Sequence, residues 1–295
     1  IEPQCRWFWS HLCCSCIWER QIMTDTMMWQ GYLIQSNGDN HFINSPWKLG
    51  NECVFGYDSD YTTMAISLIR YLSIEKSNLS LSSIDEKINQ QTIIAATQFE
   101  VNRSGYKIKC NDDASLQVYT GEEGVFHLEF DSMQDIDEEK YSKISNAWKH
   151  ESDIMNTSQG AYVSGQQYDE SLESRLSLVA QNHQGIIWPQ RQMDSEGTSI
   201  SQSYIKIEPS GTVTSWTRLS AAGAPSEFAT RAPILGGIST VMVETNDGPN
   251  GVFLLVDDVT TSPKIGDSVE IVVRMLYAQE GVIRYGAKAI ITNRS

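Results

Sequence analysis

Between residues 211 and 291 the chain breaks into five short β-rich runs, and their spacing limits the fold more than any other feature. The runs cover 211–219, 239–244, 252–256 and 269–275, with a last one starting at Gly281. Turn residues separate them, most plainly Asn246-Asp-Gly-Pro-Asn-Gly251 and Lys264-Ile-Gly-Asp-Ser268. Short strands with regular turn signals are the pattern of a small barrel or sandwich. In the fourth run Val269, Ile271, Val273 and Met275 share one face while Glu270 and Arg274 share the other, as in a half-buried strand. The order fits a five-stranded OB-like barrel, a fold that holds many unrelated ligands.

Composition narrows the partners. With 295 residues, the chain can bury two ordinary cores. Hydrophobic content of 40% and charged content of 20% belong to a soluble globular protein. No apolar run approaches the ~18–20 residues of a membrane helix. A formal charge of −15 disfavours a phosphate backbone as partner. From Ser201 onward eight Lys or Arg face nine Asp or Glu, so the barrel lacks the basic groove of a nucleic-acid OB fold. Trp216, Phe253, Tyr277 and Tyr285 could serve as stacking platforms, although aromatics in barrel strands more often fill the core. Outside the first sixteen residues the cysteines are Cys53 and Cys110 alone, so no disulfide framework is expected and a cytoplasmic, reducing setting is the simpler reading.

Residues 1–45 read as a leader, disordered or non-native. His11, Cys13, Cys14 and Cys16 carry soft-metal chemistry, but their spacing is that of no zinc finger or ribbon. The first folded region is expected over 46–170. Met64, Ala65, Leu68, Ile69 and Leu72 recur at helical spacing after Asp58-Ser-Asp60, where Ser59 or Asp60 can cap the helix. Capping is also the expected role of Asp58. Thr92-Ile-Ile-Ala-Ala-Thr97 reads as a buried strand, and 115–119 with 125–130 as a hairpin carrying His127 on a strand face. The acids of 131–140 read as a solvated run.

Gly56-Tyr-Asp-Ser-Asp60 followed by Thr63-Met-Ala65 resembles a stretch near the start of hydroxymethylglutaryl-CoA synthases. Ile93-Ile-Ala-Ala-Thr97, Asp113-Ala-Ser-Leu-Gln-Val and Glu123-Gly-Val125 are similar, more loosely, to later strands of the same half. The resemblance implies a truncated thiolase-like α/β region. Those enzymes transfer an acyl group to a cysteine activated by His and Glu. Here the chain between Leu72 and Thr92 is too short to hold the nucleophile segment. Cys110 and Cys53 are the weak candidates that remain. The five histidines, at 11, 41, 127, 150 and 183, supply neither with an evident base.

Trp188-Pro-Gln-Arg191, the loop from Gly223 to Leu235, Val241-Met-Val-Glu-Thr-Asn-Asp-Gly248 and Lys264-Ile-Gly-Asp-Ser-Val269 mark the last part of the chain. On these motifs residues 175–291 resemble the acyl-CoA-associated domain family of unknown function number thirty-five, a zinc ribbon followed by an OB barrel. The positions that would carry zinc thiolates hold Gln181, Gln184, Asp194 and Gly197. His183 and Asp194 make two ligands, short of a closed site, so the resemblance implies a degenerate ribbon without zinc. It also makes Phe228, Arg231, Trp188 and Arg191 the weak candidates for contact with CoA.

The resulting expectation is an α+β multidomain chain: a leader at 1–45, a truncated thiolase-like region at 46–170, a ribbon-like linker at 171–210 and an OB-fold barrel at 211–295. Its function reads as a non-catalytic or auxiliary acyl-CoA-handling scaffold that docks with a thiolase-type or synthase-type acyltransferase. Acyl-CoA is the expected ligand, with no tightly bound cofactor, no nucleic acid and no membrane. Alternatives are an acyltransferase or synthase using a body cysteine, an OB-fold nucleic-acid-binding protein, and a degenerate gene product whose first region folds poorly alone.

Overall fold

A computed structural model describes residues 26–76, 79–153, 172–173, 175–200, 203–258, 262–279 and 281–293. In chain order it forms β1 (Met27–Trp29), β2 (Tyr32–Asn37), β3 (Asn40–Asn44), β4 (Trp47–Leu49), β5 (Glu52–Val54) and α1 (Tyr61–Glu75). Next come β6 (Ser80–Ser83), α2 (Gln90–Thr97), β7 (Glu100–Val101), β8 (Tyr106–Cys110), β9 (Ser115–Tyr119), β10 (Gln134–Asp135) and α3 (Glu138–Asp153). A separate three-stranded sheet holds β11 (Val179–Asn182), β12 (Ile186–Ile187) and β13 (Tyr204–Lys206), in the order β12-β11-β13. Last are β14 (Ser210–Leu219), β15 (Ile238–Thr245), β16 (Asn250–Leu255), β17 (Ser268–Gln279) and β18 (Val282–Asn293).

The five C-terminal strands close into a barrel in the order β14-β15-β16-β18-β17. That is the OB-like order, with β16 and β18 parallel and β14 closing antiparallel onto β17. Gly211 is required where β14 meets β15, because a Cβ there would stand 2.4 Å from the Glu244 carbonyl oxygen.

The first region is a seven-stranded mixed sheet, β1-β2-β3-β9-β8-β6-β7. Residues 27–44, expected within a leader, are its first three strands. β2 and β3 run antiparallel with Ile34 opposite Ile43, and both are buried, as are Tyr32, Leu33 and Phe42 beside them. The cysteine-rich start of the chain lies outside the described residues. The thiolase-type reading of this sheet stands on the quoted motifs alone.

Two local expectations fail for physical reasons. Thr92-Ile-Ile-Ala-Ala-Thr97 is helix α2, because Asn89 caps it through Oδ1, which accepts from Thr92 N at 3.0 Å. Ile93 and Ala96 then fall one turn apart on its buried face. A six-residue apolar run cannot by itself distinguish helix from strand. The hairpin partner of β9 is β8, not 125–130. β9 is paired on both edges, by β3 and β8, so it has no free edge to offer. Residues 125–130 instead cross the sheet irregularly, with Phe126 stacked on Phe42 at 5.3 Å and His127 exposed.

Helix α1 is as expected from its stripe and is capped by Asp60, which accepts from Thr63 N while Thr63 Oγ1 accepts from Asp60 N. Met64, Ala65, Leu68, Ile69 and Leu72 are all buried, and so is Ile66 on the other side. The helix is covered on both faces because it packs on the sheet and also on β17. Each fully buried side chain of this size stabilises by about 1.5–3 kcal/mol.

Strand β17 serves two cores. Val269 and Ile271 point into the barrel with Val213, Val243 and Phe253. Val273 and Met275 join the core of the first sheet with Leu68 and Tyr32. Arg274, expected on a half-solvated face, is only 2% exposed because the first region covers that side.

Candidate functional site

The seam between sheet and barrel gathers a connected set of buried charges, and the Gly56-Tyr-Asp-Ser-Asp60 motif supplies Asp58 to it. Asp58 is fully buried and its Oδ2 lies 2.7 Å from Lys288 Nζ on β18. The same oxygen accepts from the Asp257 backbone N–H at 3.0 Å. Lys288 also reaches Asp257 Oδ1 at 2.8 Å. Asp257 Oδ2 accepts from Arg231 Nη1 at 3.0 Å, and Arg231 Nε donates to Glu151 on α3 at 2.9 Å. Arg274 approaches Asp58 Oδ1 at 3.8 Å and covers the Tyr32 ring at 4.6 Å. Asp58 is thus a buried ionic partner and not the helix cap that sequence reasoning assigned.

Its neighbours in the motif have related tasks. Gly56 leaves room for the Asp258 carboxylate, since a Cβ would meet Asp258 Oδ2 at 2.5 Å. Tyr57 N donates to Asp258 Oδ1 at 2.8 Å. Asp60 Oδ2 accepts from Tyr285 Oη at 2.6 Å while capping α1. Burial, and then the charge of Asp58, pushes the Asp258 carboxyl up to about 7. Burial likewise raises Glu151 in spite of Arg231, and Asp60 in spite of Tyr285.

The cysteines lie away from this network. Cys53 is buried with Sγ 3.5 Å from the Ser45 carbonyl oxygen, and Cys110 is buried at the end of β8. Burial, reinforced by Asp113 and Asp85 respectively, pushes both thiols up to about 12. Neither has a histidine among the groups that shift it. His41 sits on β3 bonded to Ser36 and is driven down to about 4, chiefly by burial.

The four residues singled out for CoA contact do not form one surface. Arg231 is fully buried, spends its guanidinium on Glu151, Asp257 and the Leu276 carbonyl, and stacks 3.8 Å over Trp148. It bolts the loop to α3 and the barrel. Phe228 lies edge-on to Tyr277 at 6.3 Å, and Trp188 stacks on the core residue Phe253 at 5.6 Å. Arg191 is exposed, and its backbone N–H donates to Gln181 Oε1 at 2.7 Å. Phe253 and Tyr285 are likewise core residues, while Trp216 is 40% exposed.

Over residues 181–198 hydrogen bonds engage the side chains of Gln181 and Asp194, two of the four positions that the resemblance would give to zinc. Asp194 Oδ1 accepts from Glu196 N and Thr198 N at 2.9 and 2.8 Å, closing a turn that needs Gly197 at φ +81°. Gln181 holds the 188–191 turn through the bond to Arg191. Among the described residues no group of three or more His, Cys, Asp or Glu is placed to hold a metal. No described helix is long and apolar enough to cross a membrane.

No family profile matches the sequence, and no curated protein matches it. Among solved structures, a chain of an Ltp2-ChsH2(DUF35) aldolase aligns at 17% identity and a TM-score of 0.30. The alignment covers 44% of this chain and 96% of that one. A likeness this low adds nothing to the geometry.

Proposed function

We propose that the chain is an auxiliary acyl-handling protein that docks with a thiolase-type or synthase-type acyltransferase and leaves the covalent chemistry to its partner's cysteine. The observation that carries this reading is the state of Cys53 and Cys110. A thiol acts as nucleophile through its thiolate, and burial beside carbonyl oxygens and carboxylates disfavours that form. Both thiols are pushed to about 12, far from working pH. The barrel and the first sheet meanwhile share a core and a buried ionic chain, which suits a rigid docking unit. The motif resemblances at either end of the chain supply the acyl-CoA context.

Two measurements test the reading. The protein should co-purify with a thiolase-type partner, and it should show no acyl-CoA-protected, stoichiometric iodoacetamide labelling of a body cysteine. Protected labelling of Cys110 or Cys53 would replace the scaffold reading with an acyltransferase using that residue. Absence of any such partner removes the docking role.

A further inference from the structure

A cavity of about 350 Å³ lies between α3, the segment 55–59 and the β17–β18 hairpin. Small-molecule sites commonly enclose ~300–1,000 Å³ and are lined mostly by apolar and aromatic side chains. Phe55, Tyr141, Trp148, Ala278 and Ile283 belong to this wall, and each is half-buried, so each keeps surface that an occupant can touch. The core of the first sheet supports Phe55, Trp148 and Ile283 from behind. Trp148 is fixed further, because its Nε1 donates to the Tyr57 carbonyl oxygen at 2.7 Å.

Charge selects the occupant. Lys140 Nζ stands 4.6 Å over the Tyr57 ring and the Arg231 guanidinium 3.8 Å over Trp148. Both rings line the cavity and neither cation does, so each ring is backed by positive charge on the side away from the cavity. A ring whose negative face already holds a cation has less attraction left for a second and favours an electron-rich partner. Lys149, exposed, adds a third positive charge to the surroundings, and among the described residues no carboxylate lines the cavity. Asp258, behind Gly56, is spent on Tyr57 N at 2.8 Å.

An anion has little to win either. Arg231 is already paired with Glu151 and Asp257, Glu138 and Glu139 precede Lys140 in the first turn of α3, and Lys149 is screened by water. Shape then separates the neutral ligands. Ring-on-ring contact adds about two- to tenfold in affinity beyond the burial of equal apolar area, and Phe55, Tyr141 and Trp148 can all supply it.

We infer that this cavity binds an uncharged, planar aromatic molecule of one or two fused rings, held among Phe55, Tyr141 and Trp148. The inference does not depend on the docking role proposed above.

Titration calorimetry on the full chain tests it, with indole, tryptamine, indole-3-acetate and cyclooctanol as ligands. Saturable indole binding below ~2 mM is expected, with tryptamine about tenfold weaker, indole-3-acetate no tighter than indole, and cyclooctanol about fivefold weaker. Phe55→Leu removes a ring and keeps apolar bulk, so it should weaken indole about fivefold and leave cyclooctanol unchanged. Ser145→Trp fills the cavity from a half-buried position on α3. It should abolish indole binding with the melting temperature kept, and it decides the matter if Phe55→Leu does not fold. No saturation by ~10 mM indole, or wild-type indole affinity in folded Ser145→Trp or folded Phe55→Leu, overturns the site. Tryptamine as tight as indole, or indole-3-acetate tighter, overturns the uncharged assignment, and cyclooctanol as tight as indole overturns the aromatic one.

Discussion

Asp58 and Lys288 form a buried ion pair across 230 positions of sequence, Oδ2 to Nζ at 2.7 Å, and it fastens the barrel to the helix-bearing sheet. Neither side chain reaches water, at 0% and 1% exposure. The pair does not stand alone, because Asp257 shares Lys288 with Asp58 and passes the chain on to Arg231 and Glu151.

Removing one member strands the others. Lys288→Ala leaves Asp58 and Asp257 buried without their ammonium, the situation that costs about 3–5 kcal/mol. Urea unfolding should show a loss of that order. A loss under ~1 kcal/mol would mean that water enters the seam and solvates both carboxylates.

The thiols should be silent in the folded protein. With Cys53 and Cys110 pushed up to about 12, the thiolate fraction at pH 8 is on the order of a thousandfold below that of a free cysteine. Peptide mass spectrometry after iodoacetamide treatment should find both unmodified in native buffer and modified in urea. Fast labelling of either in native buffer would show an open conformation that the packing does not include.

How far these features were legible depends on how local their causes are. The barrel strands were readable because turn residues and alternation lie within each run. Helix α1 was readable because its stripe and its Asp60 cap are contiguous. Asp58 was misassigned because its partner lies on β18, and nothing near Asp58 in the sequence announces it. Nothing local marks Lys288 either: it alternates with Ala287 and Ala289, which face the barrel core, so it reads as a lysine on the solvent side of the strand, and only the first region covering that side buries it. Residues 27–44 were missed because their polar turn, Asn37-Gly-Asp-Asn40, outweighed the short apolar segments beside it, which are buried only once β9 completes the sheet. Arg231 was picked out by its motif, and its role changed once the packing of α3 against its loop was visible.

The small sheet of β11–β13 and its 194–198 turn should hold without metal. Asp194 Oδ1 closes its turn through two backbone N–H groups, so a chelator should leave the melting temperature unchanged and dialysed protein should carry no zinc. Asp194→Ala should cost about 1–2 kcal/mol by unfolding. Stoichiometric zinc by elemental analysis would require ligands other than those placed here.

Asp258 should give stability a recognisable pH dependence. Its carboxyl titrates near 4 when unfolded and at about 7 when folded, because burial and the Asp58 charge oppose ionisation. The folded state therefore holds this proton more tightly than the unfolded state. The associated stability is whole below about pH 4 and is lost as pH rises through 7. Asp258→Asn carries no such proton, and its side-chain oxygen can still accept from Tyr57 N. The variant should gain on wild type as pH rises from about 5 to 8. Asp60 and Glu151, also raised, titrate in both proteins and cancel in the difference. Urea midpoints of the two proteins at both pH values make the comparison. A gap that does not widen with pH would show that the folded protein lets Asp258 ionise as freely as the unfolded chain does.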